Sequence, residues 1–241
     1  MTHITKLALA ALLPCVLAAE DRPADHHAHA WLAYFGDHPV AGSRWGAHLE
    51  TQVRRHDLGA SWQQLLIRPG VNFQAHPKVM LTLGYAFVRS STYNDHVAPQ
   101  PPLHEHRIWQ QAWFKYGTPR LRWSTRLRFE NRFLGTIDAT GKRGSRYENR
   151  FRAWQQVTVP VSQRWYVTGY DELWFYVKPY QSHSAFDQNR AYGGVGFKAD
   201  RHWRVEAGYM NQAILHRSGA RLEQNHTLVI SVFSDAPFFR R

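Results

Sequence analysis

The chain has 241 residues, with 30 lysines and arginines against 18 aspartates and glutamates for a formal charge of +12, and a single cysteine. One cysteine excludes an intramolecular disulfide framework and a thiolate-ligated metal centre, and no apolar stretch beyond residue 19 approaches the roughly 20 residues of a membrane-spanning helix. A pI near 10.1 and a mean hydropathy of -0.51 would suit a soluble chain bound to nucleic acid, but no binding motif is present and the arginines fall mostly on one parity of strand-like runs, so nucleic acid is not an expected partner.

Residues 1–19 read as a signal peptide: Lys6 supplies a basic start, Leu7 to Val16 an apolar core, and Leu17, Ala18 and Ala19 small residues before Glu20, with the cut after Ala18 or Ala19. Cys15 lies within this segment behind Pro14, where a lipoprotein signal would need a small residue, so the mature chain has no thiol. Residues 20–241 then form one exported domain. His26, His27 and His29 open it, and with no carboxylate or cysteine completing a site they are expected to be solvated in a mobile terminus, with no metal and no cofactor.

Strand-like runs follow at 30–38, 44–55, 61–75, 79–91, 104–117, 121–134, 146–160, 165–177, 188–199, 203–215 and 223–234. The run at 121–134 is the most telling. Leu121, Trp123, Thr125, Leu127, Phe129 and Phe133 share one face of a strand, and Arg122, Ser124, Arg126, Arg128, Glu130 and Arg132 share the other. Fourteen residues of this alternation are long for a soluble sandwich and suit a barrel strand with lipid outside and a polar lumen inside.

Links between the runs alternate in length. His76-Pro77-Lys78, Thr118-Pro119-Arg120, 161–164 and Asp200-Arg201-His202 are tight turns, whereas 92–103, 135–145, 178–187 and 216–222 are longer polar loops. Short periplasmic turns opposite longer external loops is the layout of outer-membrane barrels. Trp45, Trp123, Trp165 and Trp203 each begin a run with outward parity behind Arg44, Arg122, Arg164 or His202, and form an expected periplasmic girdle at the membrane interface. Ten antiparallel strands closing 44–55 against 223–234 is the first expectation, with 30–38 an inner or edge addition; twelve strands is the alternative.

Inward parity collects Glu50 and Arg54; Arg68; Glu105 and Arg107; Arg126, Arg128, Glu130 and Arg132; Glu148, Arg150 and Arg152; Glu172; Arg190; and Arg204 with Glu206. Charges in a narrow, poorly hydrated space need partners, so a salt-bridged, largely filled lumen with surplus positive charge is expected. Such a network holds a barrel together, and it also favours a narrow passage for small anions. Gln155 and Asp171 break the outward pattern as cross-strand neighbours. Either a bulge near Gly169 swings Asp171 inward beside Glu172, or the pair is a polar notch facing lipid headgroups or another subunit. Ser182-His183-Ser184 lacks a third catalytic partner at suitable spacing and reads as an ordinary loop tripeptide.

Glu105-His106-Arg107-Ile108-Trp109-Gln110-Gln111, Arg126 to Phe133, Asn149-Arg150-Phe151-Arg152, Tyr170-Asp171-Glu172, Phe186 to Arg190, Gly208 to Gln212 and Asn225-His226 together resemble the bacterial family catalogued as domain of unknown function 2490. The resemblance runs from about Trp31 to Phe233. It implies an outer-membrane β-barrel of a Gram-negative bacterium and supplies no activity, substrate or catalytic residue. The expected partners are outer-membrane lipid, the barrel-assembly machinery and small anions, with Phe233 or Phe239 as the C-terminal aromatic of the assembly signal. Function is expected to be structural or a narrow anion-preferring passage and not enzymatic; a lipid-modifying barrel enzyme and a soluble periplasmic ligand-binding β-sheet protein are the alternatives.

Overall fold

A computed structural model describes residues 22–93, 101–138, 140–177 and 184–238. Residues 1–19, expected to be a signal peptide and holding Cys15, lie outside them, as do Ser182 and His183. Eleven strands form one closed barrel: β1 (Ala24–Pro39), β2 (Trp45–His56), β3 (Ser61–His76), β4 (Val79–Ser90), β5 (Leu103–Gly117), β6 (Arg122–Ile137), β7 (Arg143–Pro160), β8 (Trp165–Val177), β9 (Phe186–Lys198), β10 (Trp203–Leu215) and β11 (Leu222–Ser234). Each pairs antiparallel with the next, and the sheet closes by β1 lying parallel to β11, in register from Ala24 opposite Leu222 to Gly36 opposite Ser234.

The parallel seam is a matter of parity. In an up-and-down run of eleven strands the first and last point the same way, so closure cannot be antiparallel. The expected closure of 44–55 on 223–234 is therefore corrected: β1 stands between those strands, and the described residues carry eleven strands. Residues 30–38 are the later part of a full-length strand. Its alternation continues back through the histidines, so the expected mobile terminus is also corrected. His29 is fully buried, with its Nε2 2.9 Å from Asn225 Oδ1. Closure leaves no unpaired strand edge among the described residues.

One end of the barrel carries the links 40–44, 77–78, 118–121, 161–164 and 199–202, and the other carries 57–60, 91–102, 138–142, 178–185 and 216–221. The expected loop at 135–145 contracts to five residues because β6 and β7 run on to Ile137 and from Arg143. Asp138 fastens this turn, its carboxylate accepting from Thr140 N, Lys142 N and Thr140 Oγ1 at 2.9, 3.0 and 2.6 Å, while Gly141 takes φ +83. The two long links, 91–102 and 178–185, share that end.

The interior is the reverse of a soluble core. Among the described residues the buried side chains are chiefly arginine, glutamate, glutamine, asparagine and a few aromatics, whereas Leu32, Ile67, Val71, Leu83, Ile108, Leu127, Val195 and Leu228 are exposed on the outer wall. Gly84 exists to admit an aromatic. A Cβ there would lie 2.5 Å from the Trp109 ring, which is fully buried against the wall.

Candidate functional site in the barrel lumen

Alternate positions on every strand point inward, so the arginine and glutamate set expected from parity meets in one space. Glu50, Arg54, Arg68, Glu105, Arg107, Arg126, Arg128, Glu130, Arg132, Glu148, Arg150, Arg152, Glu172, Arg190 and Glu206 are all buried; Arg204 is partly exposed near the barrel end. Glu130 is the hub. Its carboxylate, 0 % exposed, lies 2.6 Å from Arg150 Nη2 and 2.9 Å from Arg152 Nη1, with Arg68 and Arg107 at 3.5 Å and Arg128 at 4.0 Å. Guanidiniums from β3, β5, β6 and β7 thus converge on one carboxylate, whose desolvation is offset only because the hydrogen bonds are charge-assisted.

Four more carboxylates carry most of the other arginines. Glu172 accepts from Arg126 and Arg152 at 2.6 and 2.7 Å, and Glu50 from Arg68 at 2.5 Å. Glu105 accepts from Arg107 and Arg132 at 2.7 and 2.6 Å. Glu148 lies 3.5 Å from Arg132 and 2.6 Å from Arg217, a residue of the 216–221 link that reaches into the barrel mouth. Three expected members stand apart. Arg54 donates to Gln52 and Gln64, Arg190 lies over tryptophan rings, and Arg204 Nε is 3.9 Å from Glu206, which accepts instead from Tyr166 OH at 2.7 Å.

Parity reasoning attended to polar residues and overlooked the inward aromatics. Trp174 carries the guanidiniums of Arg152, Arg150 and Arg190 at 3.7, 4.1 and 4.1 Å from its ring centroid, Trp109 carries Arg128 at 4.6 Å, and Trp154 carries Arg126 at 5.1 Å. Their signal was present, since all three share parity with the lumen charges. Asp187 carried no such signal. A bulge where Trp174 pairs with Gln188 and Phe175 with Phe186 leaves it unpaired and turns it inward, where it lies 3.2 Å from Arg150 and accepts from Tyr176 OH at 3.1 Å. Gln63 is similarly displaced by the irregularity near Arg54 and accepts from Trp31 Nε1 at 2.8 Å.

Two cavities occupy the lumen. One, of about 430 Å³, extends toward the 199–202 turn, with Lys198, Arg201 and Arg204 on its wall; the other, of about 310 Å³, extends toward the long-link end past Ser90 and Tyr93. They share Trp31, Glu50, Gln52, Arg152 and Arg190, which form the waist between them.

On the outside, Trp45, Trp123, Trp165 and Trp203 ring the end bearing the 40–44, 118–121, 161–164 and 199–202 turns. Trp45 packs on Phe73 and Trp165 on Phe197 at 4.8 Å each, Trp203 lies 6.2 Å from Tyr34, and Trp123 stands opposite Tyr116. Toward the other end Phe133 and Tyr147 face outward as a tilted pair, while Tyr85 and Tyr209 face outward at mid-strand. Gln155 and Asp171 are direct cross-strand partners, as expected, but β8 has no bulge at Gly169 and Asp171 keeps its outward parity, half-buried and accepting from Asn189 Nδ2. The inward-swing expectation is corrected: a regular ladder through Gly169 holds the side chain on the outer wall, where Gln155 accepts from Thr125 Oγ1 at 2.6 Å and from Tyr116 OH at 3.3 Å. Ser184 accepts from the Phe186 amide at 3.0 Å.

Such a molecule is a closed β-barrel turned inside out, ionic within and apolar without. The chain belongs to the family described as protein of unknown function (DUF2490), whose model matches residues 28–223. A relative, an uncharacterized protein of Methylorubrum extorquens, is 26% identical over 190 residues, covering 76% of this chain and 78% of its own length. Among solved structures, the NanC porin is similar with a TM-score of 0.48 at 11% identity, covering 81% of this chain and 93% of the porin chain.

Proposed function

We propose that this chain is an outer-membrane β-barrel of a Gram-negative bacterium, exported with a cleaved signal peptide, whose lumen is a narrow anion-preferring passage. Membrane residence is supported by the outer wall, where a broad apolar band is bounded at one end by a rim of four tryptophans, an arrangement lipid favours. Transmembrane strands, outer-membrane lipid as solvent and the barrel-assembly machinery as insertion partner follow from that reading. The observation that carries the passage is the pair of cavities that extend toward opposite ends and share Trp31, Glu50, Gln52, Arg152 and Arg190 in the wall between them. A barrel of this size encloses little space, so any path is narrow. Surplus guanidinium charge along it raises the local concentration of anions.

No cofactor and no catalytic step enters this reading. A lipid-modifying barrel would need Asp171 or Ser184 beside a histidine on the outer wall, and the bonded partner of Asp171 is Asn189. The density of ion pairs around Glu130 favours a second reading, in which the lumen is solely structural. Single-channel recording of the refolded protein in a planar bilayer separates the two. Discrete steps whose reversal potential in a salt gradient reports anion preference are expected; silence from verified, folded protein would leave only the structural barrel. Release from membranes by carbonate wash would instead indicate a soluble periplasmic protein.

A further inference from the structure

We infer that the 310 Å³ chamber holds a binding site for a small organic carboxylate, built on Arg54 and Arg190 beside Trp31. The inference deepens the passage reading, and rests on it only in assigning the site to the route of a permeating anion. Seven arginines and two glutamates line this chamber. Five of the seven arginines have a carboxylate within 4.0 Å. Arg54 and Arg190 are the exceptions: 8 % and 6 % exposed, neither forms an ion pair within 4.0 Å among the described residues, and Glu172, which stands across the strands from Arg190, makes its close bonds to Arg126 and Arg152. Their hydrogen-bond partners are neutral amides. Arg54 donates to Gln52 and Gln64 at 2.6 to 2.9 Å, and Gln212, with its amide oxygen turned toward Arg190, accepts from it at 3.0 and 3.2 Å.

Both guanidiniums converge on the same ring, at 3.9 and 5.2 Å from Trp31. Two buried cations bonded to amides and a π-face, with Glu172 already bonded to two other arginines, leave the chamber short of negative charge, which a bound anion would supply. A carboxylate suits the planar forks of guanidinium, and the apolar wall at Leu66, Leu103 and Ile214 suits a compact hydrocarbon body. The volume is at the small end for a ligand site, which limits the guest to a small molecule.

Calorimetric titration of the refolded barrel with benzoate, and with benzamide as its uncharged counterpart, tests the site. Benzoate should bind and benzamide should not; Arg54→Gln and Arg190→Gln should each weaken benzoate by about tenfold or more, since each removes a charged hydrogen-bond donor. Unchanged affinity in both variants, or equal binding of benzamide, overturns the inference. Should a glutamine variant fail to refold, the wild-type protein decides. Benzoate binding must weaken as chloride rises, and indifference to chloride overturns the site. Benzoate binding by a barrel that never conducts would dismiss the passage and keep the site, whereas anion-selective channels with no benzoate binding would do the reverse.

Discussion

At the scale of single residues, Glu130 and Asp171 are carboxylates whose environments predict opposite consequences for the same substitution. Glu130 is fully buried among five guanidiniums. Glu130→Leu leaves Arg150 without its shortest partner and concentrates like charge at the hub, a loss of about 3–5 kcal/mol for breaking a buried pair. The folded, faster-migrating band on an unheated gel should disappear at a lower temperature than in the parent protein; unchanged heat modifiability would mean the hub contributes nothing to folding. Asp171 lies on the outer wall, half-buried, with one bonded partner. If that wall faces hydrocarbon, Asp171→Leu removes a carboxylate from lipid and should stabilise the barrel by roughly 1–3 kcal/mol, read as a higher urea midpoint in lipid vesicles. A lower midpoint would show that the bond from Asn189 outweighs the cost of exposure.

Among the elements, β1 is the strand that sequence reasoning undervalued, and the reasons are physical. Strand alternation was legible wherever the outward residues were large and apolar, as along β6, and most strand limits follow from it. Residues 24–29 alternate too, but histidine and alanine give no hydropathic contrast, so half a strand resembles a solvated tail. The turn at 138–142 was misread because Gly135, Gly144 and Ser145 suit loops as well as they suit barrel strands. Bulges were beyond reach. A single extra residue reverses the facing of a side chain without any local mark, which hid Asp187 and led to a misplaced bulge at Gly169. The seam itself is testable. Cysteines replacing Ala30 and Leu228, direct partners in the parallel register, should form a disulfide on oxidation of a chain whose only native cysteine, Cys15, lies outside the barrel strands. Cysteines replacing Thr51 and Ile230, neighbours only if β2 met β11, should not; the opposite result would restore a ten-strand closure.

For the whole molecule, the question is how a charge of +12 acts across a lumen whose ion pairs are mostly satisfied. Paired arginines present little net field to a passing ion, because each carboxylate cancels much of its partner's potential. If the lumen conducts, its selectivity would come from the surplus: Arg54 and Arg190 near the waist, and Lys115, Arg122, Lys198 and Arg201 on a wall of the larger cavity that also carries Asp37, Asp200 and Asp235. These two groups respond differently to salt. Charges near the open end are screened over about 10 Å at 0.1 M and about 3 Å at 1 M, whereas buried charges are screened much less. Anion preference should accordingly fall between 0.1 M and 1 M salt without vanishing, the residue being the contribution of the waist. In Arg54→Gln that residual preference should be lost at 1 M while much of the preference at 0.1 M persists. Reversal potentials under matched tenfold gradients at the two salt levels read both effects, and a selectivity that collapses entirely at 1 M in the parent protein would assign it to the mouth alone.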